Sequence, residues 1–208
     1  MDERSICVDF TYLKANLEKL GYLVSCFEGK EQAAGYLQRS IRGRTVGIGG
    51  SITVKEMGLY DRLSKENEVY WHWMPHTGST EEEMRVRARD AEIYISSVNG
   101  IAQTGEIINI DGFGNRVAEL LFGHKKVYLL VGQNKVEADY EKALFRARNI
   151  AAPMNAKRLQ KKTPCAMKAD RCYNCNSPDR ICRALTVFWQ KPMNCAYEVV
   201  LIHEVLGY

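Results

Sequence analysis

The chain has 208 residues, 46% of them hydrophobic and 26% charged, which is the balance of an ordinary globular protein. Its formal net charge of +4 comes from 29 basic and 25 acidic residues spread along the sequence, so the charge gives no indication of a nucleic acid partner. The sequence lacks an apolar stretch long enough to span a bilayer and a signal-peptide pattern, so we expect a cytoplasmic protein with one main core.

Helices and strands are predicted to alternate along the chain. In order, hydrophobic periodicity predicts a helix at 10–20, a strand at 22–27, a helix at 31–41, a strand at 45–48, a helix at 51–60, a strand at 68–71, a helix at 80–89 and a strand at 93–96. Extended pieces follow at Ile101 and 106–110, then a helix at 115–122, a strand at 126–131, a helix at 137–150, and strands at 186–189 and 198–203. This order predicts an α/β fold, a three-layer and mostly parallel sheet with helices on both faces.

The same order predicts a single domain over residues 1–208. Residues 1–42 are expected to extend its core with helices and a strand. Residues 157–183 are rich in cysteine and charge, show no clean periodicity, and are expected to form an insertion before the last two strands.

Polar clusters follow four apolar runs, at points where strands are predicted to end. They comprise Gly49, Gly50, Ser51 and Thr53; Ser96 and Asn99; Asp111, Asn115 and Arg116; and Asn134 and Lys135. In open parallel sheets, ligands bind in the crevice outside the carboxyl ends of the strands. We therefore expect one pocket for a small anionic metabolite. Each cluster also suits an ordinary turn, with Ser51 as a helix cap and Asp111 as a turn former.

Four late cysteines form a second candidate site. Cys165, Cys172, Cys175 and Cys182 lie within eighteen residues, around one Cys-x-x-Cys pair. Four such thiolates can bind the corners of an iron–sulfur cluster, of which 4Fe–4S is our first expectation, or enclose one zinc ion. The spacing matches neither ferredoxin pattern, and zinc ribbons usually carry two such pairs. Cysteines without metal remain the third interpretation.

Several motifs together resemble one family. They are Gly-Gly-Ser-x-Thr at 49–53, Ser-x-Asn at 97–99, Asn-x-Asp-Gly-x-Gly-Asn-Arg-Val at 109–117, Val-Gly-x-Asn-Lys at 131–135, Ala-Ala-Pro-x-Asn-Ala-Lys-Arg at 151–158, and the late cysteines. From about residue 45 to the last residue, the chain resembles the LUD (lactate utilisation) domain family. The resemblance implies a fold related to ribose-5-phosphate isomerase, glucosamine-6-phosphate deaminase and the CoA transferases.

The same resemblance implies site roles. Gly49, Gly50, Ser51 and Thr53 would hold the anion, and Asp111 would face the reacting carbon. Those isomerases carry a second acidic residue just after their Asp-Gly, where this chain has Phe113-Gly114-Asn115. The glutamate-in-glycine motif of the CoA transferases is also missing, so neither activity transfers.

These observations predict an accessory protein of lactate or organic-acid oxidation, with iron–sulfur-linked electron transfer and a small anionic ligand. Asp111 is the candidate proton acceptor, and Arg116 and Lys135 would stabilise negative charge. If the protein is an enzyme, we expect a subunit of an oxidoreductase complex, with other subunits of a lactate-oxidation system as partners and an oligomer as a compatible state. The alternatives are a non-redox isomerase or transferase of a phosphorylated or CoA-linked metabolite, and a metabolite-binding assembly module.

Overall fold

The computed structural model describes residues 9–193 and 195–208. Its main sheet has six strands, all parallel, in the order β1-β10-β7-β4-β2-β3. These strands are β1 (Leu23–Phe27), β2 (Thr45–Ile48), β3 (Glu68–Trp71), β4 (Ile93–Ser97), β7 (Lys126–Gly132) and β10 (Ala196–Ile202). The predicted α/β architecture with a mostly parallel sheet is confirmed.

Helices cover both faces of this sheet. They are α1 (Thr11–Lys19), α2 (Lys30–Ser40), α3 (Ile52–Glu56), α4 (Leu59–Leu63), α5 (Glu81–Arg89), α6 (Asn115–Leu121), α7 (Tyr140–Arg146), α8 (Ala152–Arg158) and α9 (Pro164–Lys168). Apolar residues of α2, α3 and α4 pack in one core, and those of α1 and α6 pack in a second core on the other face. The first helices and β1 thus complete the same layers as the rest of the chain.

The central strand β7 shows why the sheet needs cover on both sides. Tyr128 and Leu130 belong to one core, while Val127, Leu129 and Val131 belong to the other. Successive side chains of a strand point to opposite faces, so an unbroken apolar run is the pattern of a strand buried on both sides. Burying each such side chain contributes about 1.5–3 kcal/mol.

A second, smaller sheet has four strands in the order β8-β5-β6-β9. They are β5 (Gly100–Ala102), β6 (Ile107–Asp111), β8 (Val136–Glu137) and β9 (Ala184–Phe188). The sequence predicted the extended pieces of β5 and β6 but not this sheet. Its pairs join segments far apart in the chain, such as Ile101 with Val136, and local patterning carries little signal for such pairs.

Two predicted helices have different bounds in the structure. The helix expected at 51–60 is divided into α3 and α4, because Gly58 adopts a left-handed conformation with φ of 59°. The helix expected at 137–150 begins at Tyr140, where Asp139 caps it, and continues through a π-helical turn (Ala147–Ala151) into α8. Pro153 does not interrupt it, because it lies in the first turn after the π turn, where a missing N–H is tolerated.

Because the strands of the main sheet are parallel, their carboxyl ends all lie at one edge of the sheet. β4 ends at Ser97 and β7 at Gly132, and the short 3₁₀ helix Gln133–Lys135 then turns back across that edge. Asn134 holds the last residues there, since its side chain accepts a hydrogen bond from Leu206 N and donates one to Gly207 O. Among the helices of the described residues, none has both the length and the apolar character required to cross a membrane.

The contact between β2 and α5 gives a test of this packing. A Cβ atom on Gly47 would lie 2.5 Å from the carbonyl oxygen of Ala88, so Gly47→Ala forces the backbone apart. We expect a loss of about 1–3 kcal/mol in the free energy of unfolding, measured by urea denaturation. Gly35→Ala is the matched control: its Cβ would meet only the flexible end of Arg39, and the helix should gain about 0.5–1 kcal/mol. Equal effects of the two changes would contradict the packing described.

Candidate functional site

A cavity of about 760 Å³ opens at the carboxyl edge of the main sheet. Its floor consists of the turn after β2, the ends of β4 and β6, and the turn after β7. Its walls consist of α5, α8 and the cysteine-rich residues 157–183, here called the cysteine segment. The residues that line it are Gly50, Ser51, His72, Trp73, Glu81, Arg85, Ser97, Val98, Asn99, Ile110, Asp111, Gly112, Phe113, Asn115, Arg116, Lys135, Ala151, Ala152, Asn155, Arg158, Leu159, Lys161, Pro178, Asp179, Arg180, Ile181, Arg183 and Tyr208.

The structure brings most of the predicted site residues together in this cavity. Those that line it are Gly50, Ser51, Asn99, Asp111, Asn115, Arg116 and Lys135. The remaining four, Gly49, Thr53, Ser96 and Asn134, lie behind the lining. Gly49 leaves room for Tyr94, Thr53 contacts Lys135, Ser96 is fully buried, and Asn134 holds the tail.

Lys135 is the most unusual residue of the lining. The residue is 2% exposed, and its Nζ donates hydrogen bonds to Thr53 Oγ1 at 2.8 Å and Ser97 Oγ at 2.6 Å. Within the described part of the chain, no carboxylate oxygen lies within 4.0 Å of this nitrogen. Burial, helped by the nearby Arg146 and Arg116, lowers the pKa of Lys135 to about 7.

Arg116 is held by contacts to β6 and to the turn after β4. Its Nη1 donates to Asn109 Oδ1 at 2.6 Å, and its Nη2 donates to Ile110 O at 2.6 Å and to Asn99 Oδ1 at 3.1 Å. The Nε atom lies 3.7 Å from Asp111 Oδ2. Its donors are therefore largely used within the protein, so Arg116 supplies charge to the pocket and fixes the shape of its floor.

Asp111 has the contacts of a helix cap. Its Oδ1 accepts hydrogen bonds from the backbone N–H groups of Phe113 and Gly114, and its Oδ2 accepts one from Val117. The sequence interpretation of Asp111 as a turn former therefore has direct structural support. A role as proton acceptor would compete with these three bonds, although the residue does line the cavity.

Gly112 has a packing role beside the ligand cavity. A Cβ atom here would collide with the backbone carbonyl of Ile181 in the cysteine segment, and Arg183 N donates to Asp111 O at 2.8 Å. The Asp-Gly turn and the cysteine segment are thus in backbone contact. The segment is one wall of the cavity.

Several lining residues were missed by the sequence interpretation. His72 lines the cavity, where burial and then Arg85 lower its pKa to about 4 and keep it neutral near pH 7. Arg158 lies over the ring of Trp73 at 4.9 Å and donates to the hydroxyl of Tyr208. These residues come from distant segments. The one local signal was Arg158, which ends the Ala-Ala-Pro-x-Asn-Ala-Lys-Arg motif.

The lining is strongly basic. It contains seven basic residues, Arg85, Arg116, Lys135, Arg158, Lys161, Arg180 and Arg183, against three acidic ones, Glu81, Asp111 and Asp179. The surplus equals the formal net charge of +4 of the whole chain. Two of the acids are already engaged, because Glu81 pairs with Arg85 at 2.7 Å and Asp111 caps α6. Such a cavity favours an anion.

The four late cysteines line one small cavity beside the first. Cys165, Cys172, Cys175 and Cys182 share it with Arg148 and Arg180, and none of the four forms a disulfide. Polar groups contact three of the sulfur atoms. Asn174 N donates to Cys172 Sγ at 3.4 Å and Arg180 Nε to Cys182 Sγ at 3.2 Å, while Thr163 Oγ1 and Cys165 Sγ lie 3.3 Å apart and either can donate. Among the described residues, no group of three or more His, Cys, Asp and Glu side chains is arranged to hold a single metal ion.

Comparisons with known proteins give one family model and similar solved structures. The family model described as LUD domain matches residues 11–202. A crystal structure of a DUF162 family protein from Deinococcus radiodurans is similar, with a TM-score of 0.51 and 11% identity, over 92% of this chain and 94% of the other. Ribose 5-phosphate isomerase from Plasmodium falciparum aligns with a TM-score of 0.34 and 16% identity, over 52% of each chain. No match was found among curated proteins.

The buried amine predicts a pH dependence that Lys135→Met should remove. Between its folded pKa of about 7 and its ordinary value of 10.5, the unfolded chain binds more protons at Lys135 than the folded chain does. Wild-type stability should therefore rise with pH across this window relative to the variant, by roughly 1 kcal/mol per pH unit between pH 7 and 9. Urea denaturation of both proteins at each pH measures this difference. Parallel curves would mean that Lys135 titrates as an exposed lysine does.

Proposed function

The chain belongs to the LUD domain family, which is associated with lactate utilisation, and from this premise we propose that it binds a small organic anion beside an iron–sulfur cluster in organic-acid oxidation. The observation that carries the proposal is that the basic cavity and the thiol cavity share a wall. Ala152, Arg180 and Ile181 line both cavities. A ligand in the first cavity would therefore lie one residue layer from a group bound in the second.

The charge of the large cavity supports an anionic ligand. Lys135 and the arginines around it lack enough carboxylates to balance them, and burying uncompensated charge is unfavourable. A carboxylate or phosphate would supply the missing negative charge. Charge-assisted hydrogen bonds from arginine to such groups are strong and directional. The cavity therefore suits a small acid better than a neutral compound.

The surroundings of the four cysteines support a cluster. Basic residues line the thiol cavity, and N–H groups donate to two of the sulfurs, as is usual around iron–sulfur clusters. Four thiols around one cavity are the ligand number that an iron–sulfur cluster requires, although the same four could enclose one zinc ion. When bound, such a cluster supplies one-electron transfer.

The residues of the large cavity would bind the acid and move its protons. Arg158 and Arg183 line the walls. Lys135 lies on the floor, and the pKa of its amine is about 7. Proton transfer is most efficient when the pKa of the catalytic group lies near the working pH. We propose Lys135 as the proton acceptor in place of Asp111, since the carboxylate of Asp111 already caps α6. Neutral His72 is positioned to accept a hydrogen bond from the ligand.

The anion site is tested by the affinity for pyruvate and lactate, measured by titration calorimetry. Arg158→Met should weaken binding by about ten- to hundredfold, since a hydrogen bond to a charged group contributes about 1.5–3 kcal/mol. The matched control is Arg44→Met, because Arg44 pairs with Glu92 at the amino edge of the sheet, away from the cavity. Equal affinities for wild type and both variants, or no binding of either acid, would contradict the anion site.

The cluster is tested by anaerobic purification and reconstitution, followed by an absorbance spectrum and assays of iron and sulfide. We expect a brown protein with about four irons and four sulfides per chain. Cys175→Ser should lose most of the iron, whereas Cys26→Ser should keep it, because Cys26 lies on β1 away from the thiol cavity. A colourless wild-type protein without iron after reconstitution would rule out the electron-transfer function while leaving the anion site open to test.

A further inference from the structure

The hydrogen bonds around Lys135 leave one position of its nitrogen open. Thr53 Oγ1 donates its proton to Leu206 O at 3.2 Å, and Ser97 Oγ donates its proton to Leu130 O at 2.7 Å. Both hydroxyl oxygens therefore accept from Lys135 Nζ, at 2.8 Å and 2.6 Å. In the described part of the chain nothing else bonds to Nζ, and the residue lines the large cavity. The third position of this nitrogen is thus available to a ligand.

Charges on two elements favour the neutral amine at this place, and a charge on a third opposes them more weakly. Arg146 on α7 and Arg116 on α6 approach Lys135 and disfavour its protonation, and Glu56 on α3 is the acidic group whose opposing influence is smaller. Together with burial, they lower the pKa of Lys135 to about 7. A buried neutral amine with a free lone pair is a nucleophile, and its preferred partners are carbonyl carbons.

We propose that Lys135 binds its ligand covalently, as an imine with the carbonyl carbon of a 2-oxo acid. This inference rests on the proposed function and names the substrate class of the same cavity. The carbonyl provides the electrophile for the amine. The adjacent carboxylate provides negative charge to a cavity whose lining has seven basic residues and only three acidic ones.

The step balances without any oxidant or reductant. The lone pair of Lys135 Nζ attacks the carbonyl carbon, and the π electrons of the C=O bond move to its oxygen. The nitrogen loses one proton and the oxygen gains one, which gives a carbinolamine. The hydroxyl then takes up another proton and leaves as water, the nitrogen loses its second proton, and the C=N bond forms. The products are one imine and one water.

Reductive trapping tests the proposal on the full chain. Glyoxylate, pyruvate and 2-oxoglutarate serve as probes, and cyanoborohydride transfers hydride to the imine carbon, which leaves a stable secondary amine. We expect one of these acids to modify Lys135 selectively, as located by peptide mapping. The yield should level off above about pH 7, whereas exposed lysines react increasingly up to their ordinary pKa.

Two variants complete the experiment. Lys135→Met should abolish trapping, and Lys125→Gln should leave it unchanged, since Lys125 is a surface residue with a 77% exposed side chain. Peptide mapping of the wild type decides the matter even if Lys135→Met fails to fold. Binding of the acids by calorimetry without modification of Lys135 would overturn the imine and leave the anion site intact. If the acids neither bind nor modify Lys135, both the imine and the anion site are overturned. Selective modification of another lysine would overturn the imine alone.

Discussion

Two buried guanidinium groups connect the two sheets beneath the cavity, and the shape of its floor depends on them. Arg116 connects β4 to β6 through Ser97 O and Asn109 Oδ1, and Arg146 donates to the backbone carbonyls of Asn99 and Asn134. Removing such charges from water is costly, so they persist only where hydrogen bonds replace the lost hydration. Here the replacing groups are mostly neutral amide oxygens. The nearest carboxylates, Asp111 at 3.7 Å from Arg116 Nε and Glu137 at 3.9 Å from Arg146 Nε, only partly offset the positive charge at the junction of the sheets.

The chemistry of the floor follows from that constraint. Lys135 lies close to both arginines, and its nitrogen is held by hydroxyl groups that carry no charge. An ammonium ion in this place would add a third positive charge without a counterion. The protein relieves the conflict in one of two ways, by leaving the amine neutral or by accepting an anion. Both states are relevant to the proposed function, since the neutral amine is reactive and the charged amine binds an anion.

The sequence predicted the location of the cavity better than its contents. Strand ends of a parallel sheet share one edge, so Ser51, Asn99, Asp111 and Lys135 could be grouped from their positions after apolar runs. The sequence could not predict the walls, because Arg85 and Tyr208 reach the cavity through packing between distant segments. It also could not separate a ligand-facing residue from one that supports it, since Thr53 and Asn134 have the same residue types and spacing as true lining residues.

The π turn at Ala147–Ala151, between α7 and α8, changes the number of residues in this continuous helix. A π turn holds one residue more than an α turn, so it behaves as a one-residue insertion in an otherwise continuous helix. Deleting that residue would keep the helix but rotate everything after it by about 100°. Asn155 and Arg158 would then turn away from the cavity. In an alignment of related chains, a single gap at this point would therefore distinguish proteins that keep this wall from those that have lost it.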